Sequence, residues 1–405
     1  MIRWITESLG TSPWSERPED KDISIIDIRD MVDKEGNKPE VIKAKIKTAI
    51  DYLRAGKKVV ICCDYGISRS NAIAAGVLAQ FANLSLRDAI NQVTAATGET
   101  SIKIEVLSAV HHTLEQRASK NDSPHKRNLL ITGASGFIGS ALQKKLSDDI
   151  SVTALTSKDL DLAKDVVALD LLMKEQQIDS VLHLANPKVY TNNDAMGSTL
   201  LMLKNVLDVC ISNEAWLIYP SSWEIYSGYR SRELRANEFL SPNPRGTYGQ
   251  TKFLCEILIE QTAKQHNLAY TIVRTSPVYG PGGDRPMFLR NFLEKATNNE
   301  EIATHRYING HPIIDLVFVE DIARAFRDIL KSGLRGAFNF GTGIGISTTE
   351  IARLIVEAIG SKSEIRQVEI NSYFSNVVMD FSRAETELGW RPETKLADGL
   401  KFMLL

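Results

Sequence analysis

Short apolar runs alternate with polar, helix-length segments along the whole chain, and the alternation changes character near residue 120. Before that point one strand-like run, SIIDIRD (24–30), precedes a polar helix around Pro39–Ala55. The strand KKVVICC (57–63), a turn, and the helical runs SNAIAAGVLAQFA (70–82), SLRDAINQVTAA (85–96) and IEVLSAVHHTLEQ (104–116) follow. RASKNDSPHKRN (117–128) is polar, contains proline and lacks apolar periodicity, as a linker should. From Leu129 a strand, glycine turn and helix open a β/α alternation that runs to about residue 275, which predicts a parallel sheet covered on both faces. The expected division is residues 1–118, a linker over 119–126, and residues 127–405.

Composition narrows the classes. The 405 residues suit two or three domains, and a hydrophobic fraction of 43% with 24% charged residues is that of a folded globular protein rather than a disordered one. The β/α alternation makes its class α/β. A net charge of −2 gives no electrostatic case for nucleic acid. No run approaches a membrane span, the first residues lack a signal-peptide core, and four cysteines make no disulfide framework. The expectation is a reduced, cytoplasmic protein acting on small molecules, with no nucleic-acid or membrane partner and no metal.

The stretch VVICCDYGISRS (59–70) carries the first candidate chemistry. A buried strand running into a tight turn and then a helix presents backbone N–H groups and a helix dipole, which favour an anion and lower a thiol's proton affinity. Cys63 and Arg69 form C-x5-R across that turn, with Gly66 letting the backbone curl and Arg69 able to grip two phosphate oxygens. The competing reading makes Cys63 a small buried hydrophobe. CDYGISRS resembles the signature loop of the cysteine-dependent dual-specificity protein phosphatases, over roughly residues 1–118. The resemblance implies that Cys63 attacks phosphorus, Arg69 holds the equatorial oxygens and Ser70 assists the leaving thiolate. It also implies a general acid about thirty residues upstream, Asp33, with Asp30 as competitor. Cys62 stands where that family has histidine, and a neighbouring thiol would be available to capture an oxidised Cys63.

A second candidate site begins at LLITGASGFIGSALQKKL, where Gly133, Gly136 and Gly139 form G-x-x-G-x-x-G between a strand and a helix. These glycines permit a tight turn and close approach of a pyrophosphate, with Ser135, Phe137 and Ile138 in the same turn. DSVLHLAN (179–186) predicts a buried strand ending at Leu184 and Ala185, where a cofactor would lie. Ser222 ends the strand in WLIYPSSWEIYS, and TYGQTK puts Tyr248 and Lys252 on one helical face. An ammonium near a tyrosine favours phenolate, so Tyr248 can take or give a hydroxyl proton while Ser222 holds the same oxygen. A surface Tyr–Lys pair is the plainer alternative.

Together these residues resemble the extended short-chain dehydrogenase/reductase family, the NAD(P)-dependent sugar epimerases and dehydratases. The resemblance extends over 127–405 through VRTSPVYGPGG, PIIDLVFVEDIARA, AFNFGTG and ELGWRPETKLADGL. It implies a Rossmann-type sheet with a smaller C-terminal substrate lobe, a ribose contact from Lys252, and an adenine contact from Asp161 beside Leu162. It also implies dimerisation through a four-helix interface. Lys158, with no clear acid at the end of the second strand, leans the cofactor toward NADP rather than NAD. Glu224 matches a glutamate that relays a carbon-bound proton in sugar dehydratases, although Trp223 replaces the aspartate that often precedes it.

Pro277 and Ile314 stand where an asparagine and an arginine contact the sugar diphosphate in that family, and Arg285, Arg290, His305 and Arg306 are candidate replacements for the charge. The combined expectation is a bifunctional enzyme: a cysteine phosphatase module and an NAD(P)-dependent module for a sugar or sugar phosphate. In the alternative, the first module is regulatory or phosphate-binding, directed at a phosphoprotein. A third view makes the second module an NADP-sensing scaffold.

Overall fold

The computed structural model describes residues 2–33, 36–82, 84, 86–99, 102–115, 127–146, 149–187, 190–283 and 286–404. The expected linker at 119–126 and the candidate Arg285 lie outside these residues. The chain forms two compact units, Met1–Asp122 and Ser123–Leu405.

In the first unit a sheet is built around Lys58–Cys63, whose β-branched run Val59–Ile61 is fully buried, as expected of a central strand covered on both faces. Leu9–Pro13 and Ile23–Asp27 flank it in parallel, and Arg3–Trp4 adds an antiparallel edge beyond Leu9–Pro13. Of these strands the hydrophobic pattern predicts only two, over 24–30 and 57–63, and the first of them ends earlier, at Asp27. Leu9–Pro13 reads LGTSP and is nonetheless interior, because its small polar residues are satisfied: Thr11 donates to Asn71 Oδ1 at 2.9 Å, and Ser12 donates to Glu16 O at 3.0 Å. The helix Arg69–Phe81 is buried continuously from Arg69 to Ala79. It packs against Pro39–Arg54, Leu86–Thr97 and Ile104–Glu115.

The second unit holds six parallel strands in the spatial order Ile150–Leu155, Arg127–Thr132, Ser180–His183, Trp216–Ser222, Tyr270–Thr275, Gly336–Phe340. Side chains alternate between two cores. Leu129, Ile131 and Ile218 pack with Val319–Ser332 on one face, while Leu130, Leu217 and Tyr219 pack with Asn193–Ser212 and Thr247–His266 on the other. The strand order reverses at Arg127–Thr132, whose neighbours are the second and third strands of the sheet in chain order, and this opens a crevice at the carboxyl ends.

The segment VFVEDIARA, expected to return from the small lobe to the Rossmann part, runs into Val319–Ser332, which leads into Gly336–Phe340 at the sheet's edge. One expectation needs correction here. Asn193–Ser212 is long and apolar enough, by length and composition, to cross a membrane. In the fold it is a core helix, with Leu203, Val206, Leu207, Val209 and Cys210 buried against the sheet. The small lobe pairs Ile302–Tyr307 with Ile365–Ile370 and packs Leu289, Phe292, Ile351 and Ile355 beneath them.

Candidate functional sites

Lys58–Cys63 delivers Cys63 to the end of its strand, where the side chain is 2% exposed. Gly66, at φ +69°, turns the loop back so that its own N–H donates to Cys63 Sγ at 3.1 Å. The Cys63 thiol in turn lies 3.3 Å from Ser70 Oγ at the start of the Arg69–Phe81 helix. Arg69 is 6% exposed, and its guanidinium donates to Met31 O and to Asp64 Oδ2, each at 2.6 Å. Asp33 Oδ2 lies 3.2 Å from Arg69 Nε, whereas Asp30 turns away to Lys45 Nζ at 3.0 Å. Cys63, Arg69, Ser70 and Asp33 are thus brought together, and Asp64 joins them. A carboxylate following the cysteine carried no sequence signal for this contact.

The vicinal-thiol expectation does not fit this geometry. Cys62 and Cys63 are consecutive residues of a paired strand, so their side chains face opposite sides of the sheet. A bond between them needs the strand's end to unpair. Burial pushes the Cys62 thiol up to about 11, so it stays protonated beside Asp27.

In the second unit, Gly133 has φ +68°, and a Cβ there would stand 2.8 Å from Ala185 N and 2.9 Å from Leu184 C. The glycine turn therefore lies directly on the end of Ser180–His183. Ser135 and Gly136 are exposed at the rim, Phe137 and Ile138 are half-buried, and Gly139 packs on Ala134 O. His183 Nδ1 lies 2.8 Å from Thr132 Oγ1 and is missed by the sequence reading; burial holds this imidazole down to about 3, hence neutral. The residues fit a dinucleotide, with a close-approach turn beneath and an open rim above.

Beyond the second strand, Lys158 is exposed and Leu162 is buried, with its carbonyl accepting from Asn205. Asp161 accepts from Ala163 N at 3.0 Å and pairs with Lys164 at 3.0 Å; that pair holds its carboxyl below the usual range. Asp159, an acid the sequence reading passed over, is tied back to the Thr156 N–H and hydroxyl at 2.8 and 2.7 Å.

Trp216–Ser222 ends at Ser222, whose Oγ accepts from Glu224 N at 3.2 Å, which leaves the hydroxyl proton to be donated elsewhere. The helix Thr247–His266 docks onto this strand end. A Cβ at Gly249 would meet Glu224 O at 2.6 Å, so only glycine allows the approach. Lys252 is 6% exposed; its ammonium donates to Pro220 O at 2.8 Å and to Tyr219 OH at 3.2 Å, and lies 5.8 Å above the Tyr248 ring. Burial pushes Lys252 down to about 8. The Tyr248 ring rests on Tyr190 at 4.7 Å, a neighbour that no spacing predicts. Glu224 is half-buried two residues beyond Ser222. Ser222, Glu224, Tyr248 and Lys252 therefore sit at a single helix–strand junction.

Of the substrate-side positions, Ile314 pairs with Ile346 and packs into the small lobe's apolar cluster, and Pro277 O accepts from Val317 N at 3.1 Å. His305 and Arg306 lie exposed on Ile302–Tyr307, and Arg290 is exposed on Met287–Thr297.

Residues 129–341 match the family described as the NAD dependent epimerase/dehydratase family. The chain is 28% identical over 309 residues to the low-salt glycan biosynthesis protein Agl12 of Haloferax volcanii, covering 68% of this chain and 96% of that protein. It is 25% identical over 307 residues to the dTDP-4-dehydro-6-deoxyglucose reductase of Escherichia coli, covering 68% and 96%. Among solved structures, the UDP-glucose 4-epimerase of Thermus thermophilus in complex with NAD matches with a TM-score of 0.61 and 24% identity, over 68% of this chain and 97% of that one. RMD from Pseudomonas aeruginosa complexed with NADPH matches with a TM-score of 0.61 and 23% identity, over 69% and 97%. These two structural likenesses bear on the fold alone.

Proposed function

The chain belongs to the NAD dependent epimerase/dehydratase family, and from that premise we propose that its second unit is an NADP-preferring enzyme acting on a nucleotide-linked or phosphorylated sugar. The observation that carries this reading is the junction of Ser222, Tyr248 and Lys252, with the ammonium held by Pro220 O and Tyr219 OH. Gly133, Ser135 and Gly136 would hold the pyrophosphate, Lys158 and Asp161 the adenosine end, and Lys252 the nicotinamide ribose. When bound, the dinucleotide supplies acceptance or return of a hydride at the sugar carbon.

The chain's own groups handle the proton. Ser222 donates to the sugar oxygen and fixes it beside Tyr248. Tyr248 Oη, as phenolate, removes the hydroxyl proton when the alcohol is oxidised and returns it when the carbonyl is reduced. The buried Lys252 charge favours that phenolate. Glu224 is proposed to relay a proton to or from an adjacent sugar carbon. A sugar substrate is supported by the printed functions of relatives such as the dTDP-4-dehydro-6-deoxyglucose reductase. Ile314, packed in an apolar cluster, argues that any phosphate on the substrate is held by other groups.

Preference for NADP is supported by exposed Lys158 and by Asp159 being bound to Thr156 rather than offered to a ribose. Titrating the full chain with each cofactor is expected to give a Kd about tenfold lower for NADP. The preference should disappear in Lys158→Glu. Equal or tighter binding of NAD by the wild type would reverse the assignment.

A second reading concerns the first unit and is favoured by the grouping of Cys63, Ser70, Arg69 and Asp33. We propose that it hydrolyses a phosphate monoester. Cys63 Sγ attacks phosphorus, and the ester oxygen leaves with a proton from Asp33. The Asp33 carboxylate then takes a proton from water as its oxygen attacks phosphorus, the Cys63 thiolate leaves with assistance from Ser70, and inorganic phosphate is released. The full chain should hydrolyse an aryl phosphate, and Cys63→Ser should bring the rate to background. Aryl phosphatase activity that survives Cys63→Ser, or none in the wild type, would leave the unit at most a phosphate-binding module. Comparing phosphopeptides with phosphosugars then separates a protein substrate from a metabolite.

A further inference from the structure

A cavity of about 460 Å³ opens in the second unit between the segment carrying Arg232, the hairpin Tyr307–His311 and the end of Ile365–Ile370. Its charged lining is unbalanced: Arg232, Arg306 and His311 face it, with Glu369 as the carboxylate. Arg306 reaches Glu369 only at 3.7 Å, and Glu369 is already engaged by Gln367 Nε2 at 3.0 Å. Among the described residues, the Arg232 and His311 side chains have no hydrogen-bond or ion-pair partner.

The walls are fixed. Tyr307 and Gly310 exchange backbone hydrogen bonds at 2.8 and 2.9 Å, which closes the hairpin. Asn309 Nδ2 ties it to Ser231 O at 3.0 Å and to Phe374 O at 2.9 Å, so the loop bearing Arg232 and the hairpin are held as one frame. Tyr307 packs on Phe374, ring to ring, at 5.3 Å.

We infer that this cavity binds the phosphate group of a sugar-sized phosphate monoester, with Arg232 and Arg306 as guanidinium forks and His311 beside them. The volume exceeds what a bare ion needs and suits a hexose-sized body lying along Tyr307. Guanidinium forks match phosphate oxygens bidentately, and a ligand phosphate displaces the loose contact with Glu369. The lining includes neither Tyr248 nor any residue of the glycine turn or the Cys63 loop, so the proposal stands or falls apart from both proposed activities.

Peptide-resolved phenylglyoxal labelling of the full chain tests it, with glucose 6-phosphate as probe and glucose as control. Glucose 6-phosphate should slow labelling of Arg232 and Arg306 about tenfold, and glucose should not. Arg232→Ala, an exposed substitution, should abolish the protection of Arg306. Glu369→Gln should strengthen protection several-fold by removing the competing carboxylate. Unchanged labelling of Arg232 at saturating glucose 6-phosphate overturns the site. Equal protection by inorganic phosphate alone overturns the sugar-sized ligand, and equal protection by gluconate overturns the choice of phosphate over carboxylate.

Discussion

Tyr248→Phe is expected to lower turnover of the sugar substrate by about 10²- to 10⁴-fold, with dinucleotide affinity unchanged. The substitution removes one oxygen and little else. The ring contact with Tyr190 survives, and Lys252 stays anchored because Pro220 O and Tyr219 OH, not Tyr248, hold its ammonium. The loss should therefore fall on kcat, measured as nicotinamide absorbance against time, and not on cofactor Kd.

The pH profile gives a second readout. Lys252 is pushed down to about 8, so its charge is present below that pH and fades as pH rises through it. The favourable field at Tyr248 should weaken on the same limb, flattening the wild-type rise in kcat there. The phenylalanine variant has no hydroxyl to feel that field and should lack the feature. A loss below about tenfold would remove Tyr248 from the proton path.

What was legible in the sequence was local. The run VVICC predicts its own strand because β-branched residues bury on both faces, and the glycine turn after Leu129–Thr132 needs only its neighbours in sequence. Tyr248 and Lys252 share a face because a helix turn is four residues. What was not legible depends on partners distant in the chain. Leu9–Pro13 has no apolar period and becomes an inner strand only because Asn71, sixty residues away, satisfies Thr11. Asp64 reads as a loop acid until Arg69 folds back upon it. Gly249 looks like an ordinary helical residue until Glu224 O comes within reach. The vicinal thiols looked coupled by adjacency, although the strand sends them to opposite faces.

The most consequential of the long-range contacts lies under the junction of Ser222, Tyr248 and Lys252. Glu256, one turn beyond Lys252, and Arg274, in the adjoining strand Tyr270–Thr275, are both fully buried. They form a bidentate pair at 3.0 and 2.7 Å, and Arg274 also donates to Tyr226 OH at 2.8 Å and Glu238 O at 3.2 Å. The pair fastens helix Thr247–His266 to the sheet and to the turn after Ser222. Glu256→Ala strands a guanidinium that cannot lose its proton, at a cost of about 3–5 kcal/mol. Hydrogen exchange over Tyr270–Thr275 in the full chain should accelerate about 10²- to 10⁴-fold. The double variant Glu256→Met, Arg274→Met removes both charges together and should recover most of that protection, because the penalty arises from an unpaired buried charge and not from the loss of a pair. If the single and double variants exchange alike, the pair's charge is not what holds the junction, and the shape of the two side chains is.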